Sequence, residues 1–322
     1  MRRLIPLILC LLLLCAAALA DTPFFHCPTV VTAQAGGTAV IRYTKARSAP
    51  AGTVLLLDAD GNELASASVG NGQSSGSLRL SMTDRFTNGQ TLTLAFRHDG
   101  QTEIQGEILL ALDDGTPGIC QADTDEKVMA ITFDSAIGEG RTLALLDLLD
   151  QYGVKCTFFL QGAFVQRHPD TARLIVQRGH EIASHSMNHP EMRDIDDEKI
   201  LRDLRECNET VEQVTGQRVR FYRPPSGYYT YRDRAISRAL GCEMILWTFD
   251  SLDGTFPDRE GANAYTQLDI ARAMQRGTQP GAIVLMHVYG RYTIQALEEY
   301  LPAMQAEGYR FVTVSELLGY DD

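Results

Sequence analysis

Two histidines four residues apart, His185 and His189, stand in the stretch Glu181-Ile-Ala-Ser-His-Ser-Met-Asn-His-Pro190, directly after a short apolar run that reads as a strand. Imidazoles at that spacing can converge on one cation, and the end of a strand is where a βα barrel keeps its active site. Four further stretches carry groups that could face them: Ile131-Thr-Phe-Asp-Ser135, Tyr222-Arg-Pro-Pro-Ser-Gly227, Trp247-Thr-Phe-Asp-Ser-Leu-Asp253 and Val284-Leu-Met-His287. Asp134 ends a strand, where a carboxylate can act as general base on water; an isolated Asp there more often caps a turn. Two neutral imidazoles plus one oxygen ligand leave positions open for water and a carbonyl, the layout of a catalytic metal site. The plain alternative is two loop histidines at a helix start. Arg223 precedes Pro224 and Pro225, which hold the backbone extended, so its guanidinium is placed to orient a carboxylate through paired hydrogen bonds. Ser226 and Gly227 would then supply backbone N–H groups near the reacting centre, with Tyr228 beside them as a substrate contact. Asp253 and His287 make the last pair, because a carboxylate next to an imidazole raises its pKa and fixes its tautomer, which suits proton donation. Leu285, two residues before His287, faces the same side of its strand and lines either a small apolar pocket or the core. His180, His168, His98 and His26 have no such partners and read as structural or solvated.

The elements that must position these groups follow from periodicity. From Lys127 onward, strands at Val128 to Phe133, Val154 to Leu160, Glu181 to Ala183, Phe221-Tyr222, Glu243 to Thr248 and Ala282 to Met286 alternate with helices at 142–152, 170–178, 196–214, 231–240, 266–276 and 293–306. The helix at 196–214 sets Ile200, Leu204, Val211 and Val214 among many charges, which predicts a surface helix with one buried stripe. Repeated strand–helix units of this size imply a parallel sheet closed, or nearly closed, into a barrel, whose strand ends bring all five stretches to one cleft. The rhythm from Thr29 to about Leu112 is different. Short runs such as Thr38 to Tyr43 and Thr91 to Phe96, punctuated by Asp60-Gly, Asn71-Gly, Asn88-Gly and Asp99-Gly, predict a small β-sandwich of immunoglobulin-like size. This segment has no tryptophan and few aromatics, so a carbohydrate-binding module is no better supported than a spacer that holds the barrel off a membrane or wall. The expected division is a signal peptide at 1–20, the sandwich at 21–112, a polar linker at 113–126 and the barrel at 127–322.

The 322 residues are 44% hydrophobic with a formal net charge of -12, and no basic cluster is present to neutralise phosphates, so nucleic acid is not an expected partner. Arg2 and Arg3, an apolar run through Leu14 and Ala17, and Ala18-Leu19-Ala20 before Asp21 make a secretory signal with an A-x-A cleavage site. The mature chain is then expected outside the cell, cell-wall associated and not membrane-spanning; the alternative is an uncleaved N-terminal anchor. Cys10 and Cys15 leave with that signal, and an odd number of cysteines remains, which cannot all pair. Cys27 and Cys120, near the two ends of the N-terminal segment, would staple it in an oxidising compartment, whereas Cys156 and Cys242 read as small buried hydrophobes. Pairing of Cys207 is open.

Taken together, the five stretches resemble the motifs of the NodB-homology polysaccharide deacetylases, a carbohydrate esterase family, over about Lys127 to Leu318. The resemblance implies an α/β fold, a distorted (β/α) barrel, that removes acetyl groups from an N-acetylated glycan by metal-assisted hydrolysis, zinc being the expected divalent metal. It implies Asp134 as the base, His185 and His189 as metal ligands, Arg223 as partner of the base, His287 as the general acid with Asp253 its partner, and Leu285 as the wall of the acetyl pocket. The family's first motif usually reads Thr-Phe-Asp-Asp, its second Asp being the third metal ligand. Here Ser135 puts a hydroxyl, a much poorer ligand, in that place. The stretch Phe133-Asp-Ser-Ala-Ile-Gly-Glu-Gly-Arg-Thr142 is similar to the subgroup of peptidoglycan N-acetylmuramic acid deacetylases, where that second Asp is Asn; Glu139 offers another oxygen in the same loop. The fourth motif usually ends Asp-Trp, but Gly254 follows Asp253, so an aromatic wall is missing unless Phe256 replaces it. The expected function is de-N-acetylation of a cell-wall polysaccharide, peptidoglycan first. The alternative is a catalytically impaired glycan-binding protein on the same barrel.

Overall fold

The computed structural model describes residues 24–134, 139–254 and 265–320; Ser135, Phe256, the side chain of Glu139 and the expected signal peptide lie outside the described residues. Among the described residues no helix is long and apolar enough to cross a membrane.

Eight strands come first: β1 (Phe25–His26), β2 (Val30–Gln34), β3 (Thr38–Lys45), β4 (Gly52–Leu57), β5 (Glu63–Val69), β6 (Ser75–Ser81), β7 (Gln90–His98) and β8 (Gln101–Asp113). They form two sheets, ordered β1-β3-β6 and β2-β8-β7-β4-β5. Alternation along β3 turns Ala39, Ile41 and Tyr43 inward and Arg42 and Thr44 outward. Phe25, Ile41, Leu78 and Leu80 of the smaller sheet share one core with Val54, Leu56, Leu94 and Phe96 of the larger, which makes the pair a sandwich.

Strands and helices then alternate: β9 (Val128–Asp134), α1 (Glu139–Gln151), β10 (Thr157–Leu160), α2 (Gly162–Arg167), α3 (Pro169–Gln177), β11 (Glu181–Ser184), α4 (Asp197–Thr215), β12 (Phe221–Tyr222), α5 (Tyr231–Ala239), β13 (Glu243–Met244), β14 (Phe249–Asp250), α6 (Gln267–Gly277), β15 (Ile283–His287), α7 (Thr293–Ala306), β16 (Arg310–Phe311) and α8 (Val314–Leu318). Their sheet is parallel, in the order β13-β12-β11-β10-β9-β15-β14, with β16 also beside β9. Both faces of β9, β10 and β11 are buried, so β9 and β10 are mostly apolar rather than alternating, and β11 keeps Ile182 and Ala183 between a buried Glu181 and a buried Ser184. Residues 245–248 connect the two edge strands, and Ile119 and Gln121 bridge Ile245 on one side and Ala282 on the other, so the sheet curls into a half-barrel. The α/β class and the all-β region before it agree with expectation. Of the single strand expected over Glu243 to Thr248 only Glu243–Met244 is strand, as β13; the carbonyls of Ile245 and Leu246 accept from Arg223 instead, and β14 begins at Phe249.

More than the covalent chain joins sandwich and half-barrel. Asp113 is 2% exposed and accepts from both Nε and Nη2 of Arg234 at 2.8 Å, while Asp114 takes Arg238 at 2.9 Å. Thr32 donates to Asp197 at 2.6 Å, and Val30 and Ala111 belong to the half-barrel's apolar cluster. The stretch expected as a linker is therefore docked on α5, and this undoes the expected Cys27–Cys120 staple. Cys27 lies against Gly106, whereas Cys120 is exposed at the half-barrel, where its carbonyl accepts from Thr248 at 2.6 Å; both are free thiols. Cys156, Cys207 and Cys242 are free and buried.

Candidate active site

Asp134 is the last residue of β9 and His287 the last of β15, and the two are register partners on adjacent parallel strands. His185 directly follows β11, Arg223 directly follows β12, and Asp253 lies just beyond β14. Five chain-distant groups thus meet at the carboxyl ends of one sheet.

Arg223 is the buried hub. Its N–H donates to Ser184 O at 2.9 Å, and Pro224 keeps the following backbone extended at φ -69 and ψ 140. The guanidinium is fully buried, 3.9 Å above the Phe159 ring; it donates through Nη1 to Asp134 Oδ1 at 2.7 Å and to Thr132 Oγ1 at 2.8 Å, and through Nη2 to Leu246 O at 2.8 Å. One carboxylate oxygen is held from Nη1 alone, rather than by the fork-to-fork pairing that the sequence led us to expect. Burial alone would raise the Asp134 carboxyl, but the charges of Arg223, then His185 and His287, outweigh it and hold the group below the usual carboxylate range.

His185 Nδ1 lies 3.0 Å from Arg223 O. A carbonyl oxygen only accepts, so Nδ1 carries the proton and Nε2 keeps its lone pair, 3.7 Å from Asp134 Oδ2. Burial, only partly opposed by Asp134, lowers the pKa of His185 and favours this neutral form. The His189 ring stands edge-on to it at 4.9 Å between centroids. Between the two histidines the loop carries left-handed backbone at Ser186 (φ 67) and at His189 itself (φ 58), conformations that persist only when the surroundings enforce them. The enforcement is visible: Ser186 Oγ accepts from His189 N at 2.9 Å, the carbonyls of Ser186 and Met187 accept from the first N–H groups of α2, and Asp203 of α4 accepts from Met187 N at 2.8 Å. Asp203 escaped the sequence reading. Its signal is an acid standing between Ile200 and Cys207 on the apolar stripe of α4.

Asp253 is 4% exposed and accepts four times: from His287 Nδ1 and His287 N at 2.9 Å each, from Ser251 Oγ at 2.9 Å and from Thr293 Oγ1 at 2.6 Å. Burial opposes charge on His287, but the hydrogen bond and charge of Asp253, with Asp134 and Asp250 behind it, raise its pKa. Gly254 explains the missing aromatic: a Cβ there would lie 2.4 Å from His287 Nδ1, so any side chain would push the imidazole off Asp253. The fifth stretch supplies Leu285, 5% exposed and beside Thr132. Ser226 and Tyr228 are exposed, and Arg193 covers the Tyr228 ring at 4.9 Å. The N–H of Gly227 is not available as expected; the turn after the two prolines closes on itself and Gly227 N donates to Pro224 O at 3.0 Å. Trp247, by contrast, stands over this turn, where a Cβ on Gly227 would meet it at 2.5 Å.

The donor set fits a borderline dication: two imidazoles converge, and the one whose tautomer is fixed by a carbonyl turns Nε2 toward a carboxylate. Among the described residues no group of three or more His, Cys, Asp and Glu side chains forms a complete cage, and the expected third position, Ser135, lies outside them.

A base held ionised, an acid whose pKa is raised and two adjacent imidazoles define a hydrolytic centre at the strand ends of an α/β half-barrel. Comparison with known proteins gives that class a family. Residues 121–245 match the polysaccharide deacetylase family. A peptidoglycan-N-acetylglucosamine deacetylase from Bacillus cereus is 35% identical over 203 residues, covering 62% of this chain and 92% of the relative. The peptidoglycan-N-acetylmuramic acid deacetylase PdaA from Bacillus subtilis is 30% identical over 198 residues, covering 61% of this chain and 73% of the relative. Among solved structures, a family 4 carbohydrate esterase pseudoenzyme from Bacillus anthracis superposes with a TM-score of 0.58 at 26% identity, covering 71% of this chain and 83% of that one. The chain belongs to the polysaccharide deacetylase family, metal-dependent hydrolases of acetamido C–N bonds.

Proposed function

We propose that this chain removes acetyl groups from N-acetylated sugars of a cell-wall polysaccharide, with peptidoglycan as substrate. The observation that carries the reading is the pairing of Asp134 with His287 across β9 and β15, one kept ionised by Arg223 and the other kept protonated by Asp253. The names of the two Bacillus relatives, both peptidoglycan deacetylases, support the choice of polymer. A divalent metal, zinc by the nature of the donors, would be held by His185 and His189 and would polarise the acetamide carbonyl and acidify water. Asp134 accepts the proton of the attacking water at Oδ2, the oxygen that Arg223 leaves free. Leu285 walls the acetyl methyl. As the C–N bond breaks, His287 gives its Nε2 proton to the departing amine, and acetate and a free amino sugar result. Exposed Ser226 and Tyr228 flank the cleft as glycan contacts. In the same reading residues 1–20 are a cleaved export signal, 21–112 the sandwich, 113–126 the connector and 127–322 the catalytic unit, working at the wall outside the cell; N-terminal sequencing of the secreted chain checks the cleavage.

The test is acetate release from N-acetylated peptidoglycan by the purified, zinc-supplied chain. Wild type releases acetate, and His287→Ala lowers the rate by roughly 10²- to 10⁴-fold, the usual worth of general acid catalysis. Acetate at background from folded wild type defeats the reading. Ser135 in the metal-ligand place and the likeness to a pseudoenzyme favour one other reading, a glycan-binding protein without turnover. In that case Asp134→Ala with His287→Ala leaves glycan binding intact, and no metal restores acetate release to wild type.

A further inference from the structure

We propose that the trough on the small sheet of the sandwich is a second binding site, which takes the carboxylates of the peptide-bearing glycan. It deepens the peptidoglycan reading and rests on it. The trough has a volume of about 380 Å³ and is lined by His26, Arg42, Tyr43, Thr44, Ser75 and Ser77, within the range of roughly 300–1,000 Å³ typical of small-ligand sites.

Register sets its surface. His26, Thr44 and Ser75 lie in one row across β1, β3 and β6, and Arg42 and Ser77 lie opposite one another in the same sheet. Arg79, opposite Val40, is a diagonal neighbour of Arg42, about 7–8 Å away by sheet geometry. In a chain of net charge -12, the three strands contain no Asp or Glu. Arg42, Arg79 and His26 are exposed and make no ion pair among the described residues. Among the described residues the sheet face is therefore a cationic island without a counter-charge on its own strands.

Tyr43 is 2% exposed, and its hydroxyl occupies the space over Gly76, where a Cβ would come within 2.3 Å of it. Gly76, opposite Tyr43, thus leaves room for that ring on the inward face of the sheet, behind the outward row of Arg42, Thr44, Ser75 and Ser77. With no exposed aromatic in the lining, recognition runs through the Arg42 fork and the hydroxyls rather than through ring stacking.

The full chain is co-sedimented with insoluble peptidoglycan freed of phosphodiester polymers, with the same material after its carboxyls are amidated, and with chitin. Wild type is expected to bind the first and to lose at least tenfold in affinity on the other two. Arg42→Ser with Arg79→Ser is expected to lose about as much on untreated peptidoglycan, while melting temperature and acetate release from soluble glycan fragments stay at wild-type values. Equal binding to amidated material or to chitin, binding that appears only while phosphodiester polymers are present, or full binding by the double variant would each overturn the proposal. Binding is read without turnover, so a chain that binds as expected but releases no acetate fails the deacetylase reading alone.

Discussion

Both oxygens of Asp253 are committed to keeping one imidazole in place, through the ring, through the His287 backbone and through two hydroxyls. The consequence is a His287 that keeps its proton to higher pH than an ordinary histidine. An acid with a raised pKa is lost only as pH rises through that value, so this group governs the basic limb of the rate profile. Asp253→Asn retains acceptor capacity but removes the negative charge. The His287 pKa then falls, and the basic limb of kcat/KM moves to lower pH; an unmoved limb in pH–rate profiles would show that Asp253 does not tune the acid. Gly254 makes a separable demand at the same scale. Gly254→Ala forces its Cβ into the imidazole, and a displacement of about 1 Å at the reacting group can cost about 100-fold in kcat, with KM little changed. Steady-state kinetics of that variant check it.

At the scale of elements, α4 supports a loop that it does not contain. The His185–His189 segment holds two strained left-handed residues, and Asp203 fixes the Met187 N–H between them. Asp203→Ala removes that acceptor and is expected to weaken metal binding by roughly 10- to 100-fold, the usual effect of losing a group that orients ligands. Asp203→Asn, which still accepts through its amide oxygen, is expected to restore most of the affinity, and zinc titration by calorimetry separates the two. The strands at the centre of the site were legible because burial on both faces writes itself as mostly apolar runs at β9 and β10, with a shorter one in β11. Asp134, His185 and His287 were legible because each ends or directly follows such a strand. What was not legible depends on partners far away in the chain. Asp203 looks like any surface acid until α4 is laid against the loop. Glu243 to Thr248 reads as one strand until a buried guanidinium claims two of its carbonyls. The Gly227 N–H looks available until the Pro224-Pro225 turn closes on it.

For the whole molecule the question is whether sandwich and half-barrel unfold as one body. Their contact is centred on Asp113 and Arg234, a bidentate pair in which the carboxylate is 1% exposed and the guanidinium 13%, flanked by Asp114–Arg238 and by Thr32 with Arg232 on Asp197. Val30 and Ala111 of the sandwich pack into the half-barrel's own core, so separating the two parts would expose apolar surface as well as break ion pairs. A buried pair is weak support for stability by its presence, yet removing one partner leaves the other charge buried and alone, at a cost of about 3–5 kcal/mol. Arg234→Ala therefore falls hardest on the joint between the two parts. Wild type is expected to unfold in one urea transition, and the variant in two, the earlier one reporting the sandwich as it parts from α5. Intrinsic fluorescence follows the half-barrel alone, because Trp247 is the protein's only tryptophan, while far-UV circular dichroism follows both parts. Coincident midpoints by the two probes in wild type and split midpoints in Arg234→Ala mark one cooperative unit held at Asp113. Split midpoints already in wild type would mean that the sandwich is an independent module, merely leaning on the half-barrel.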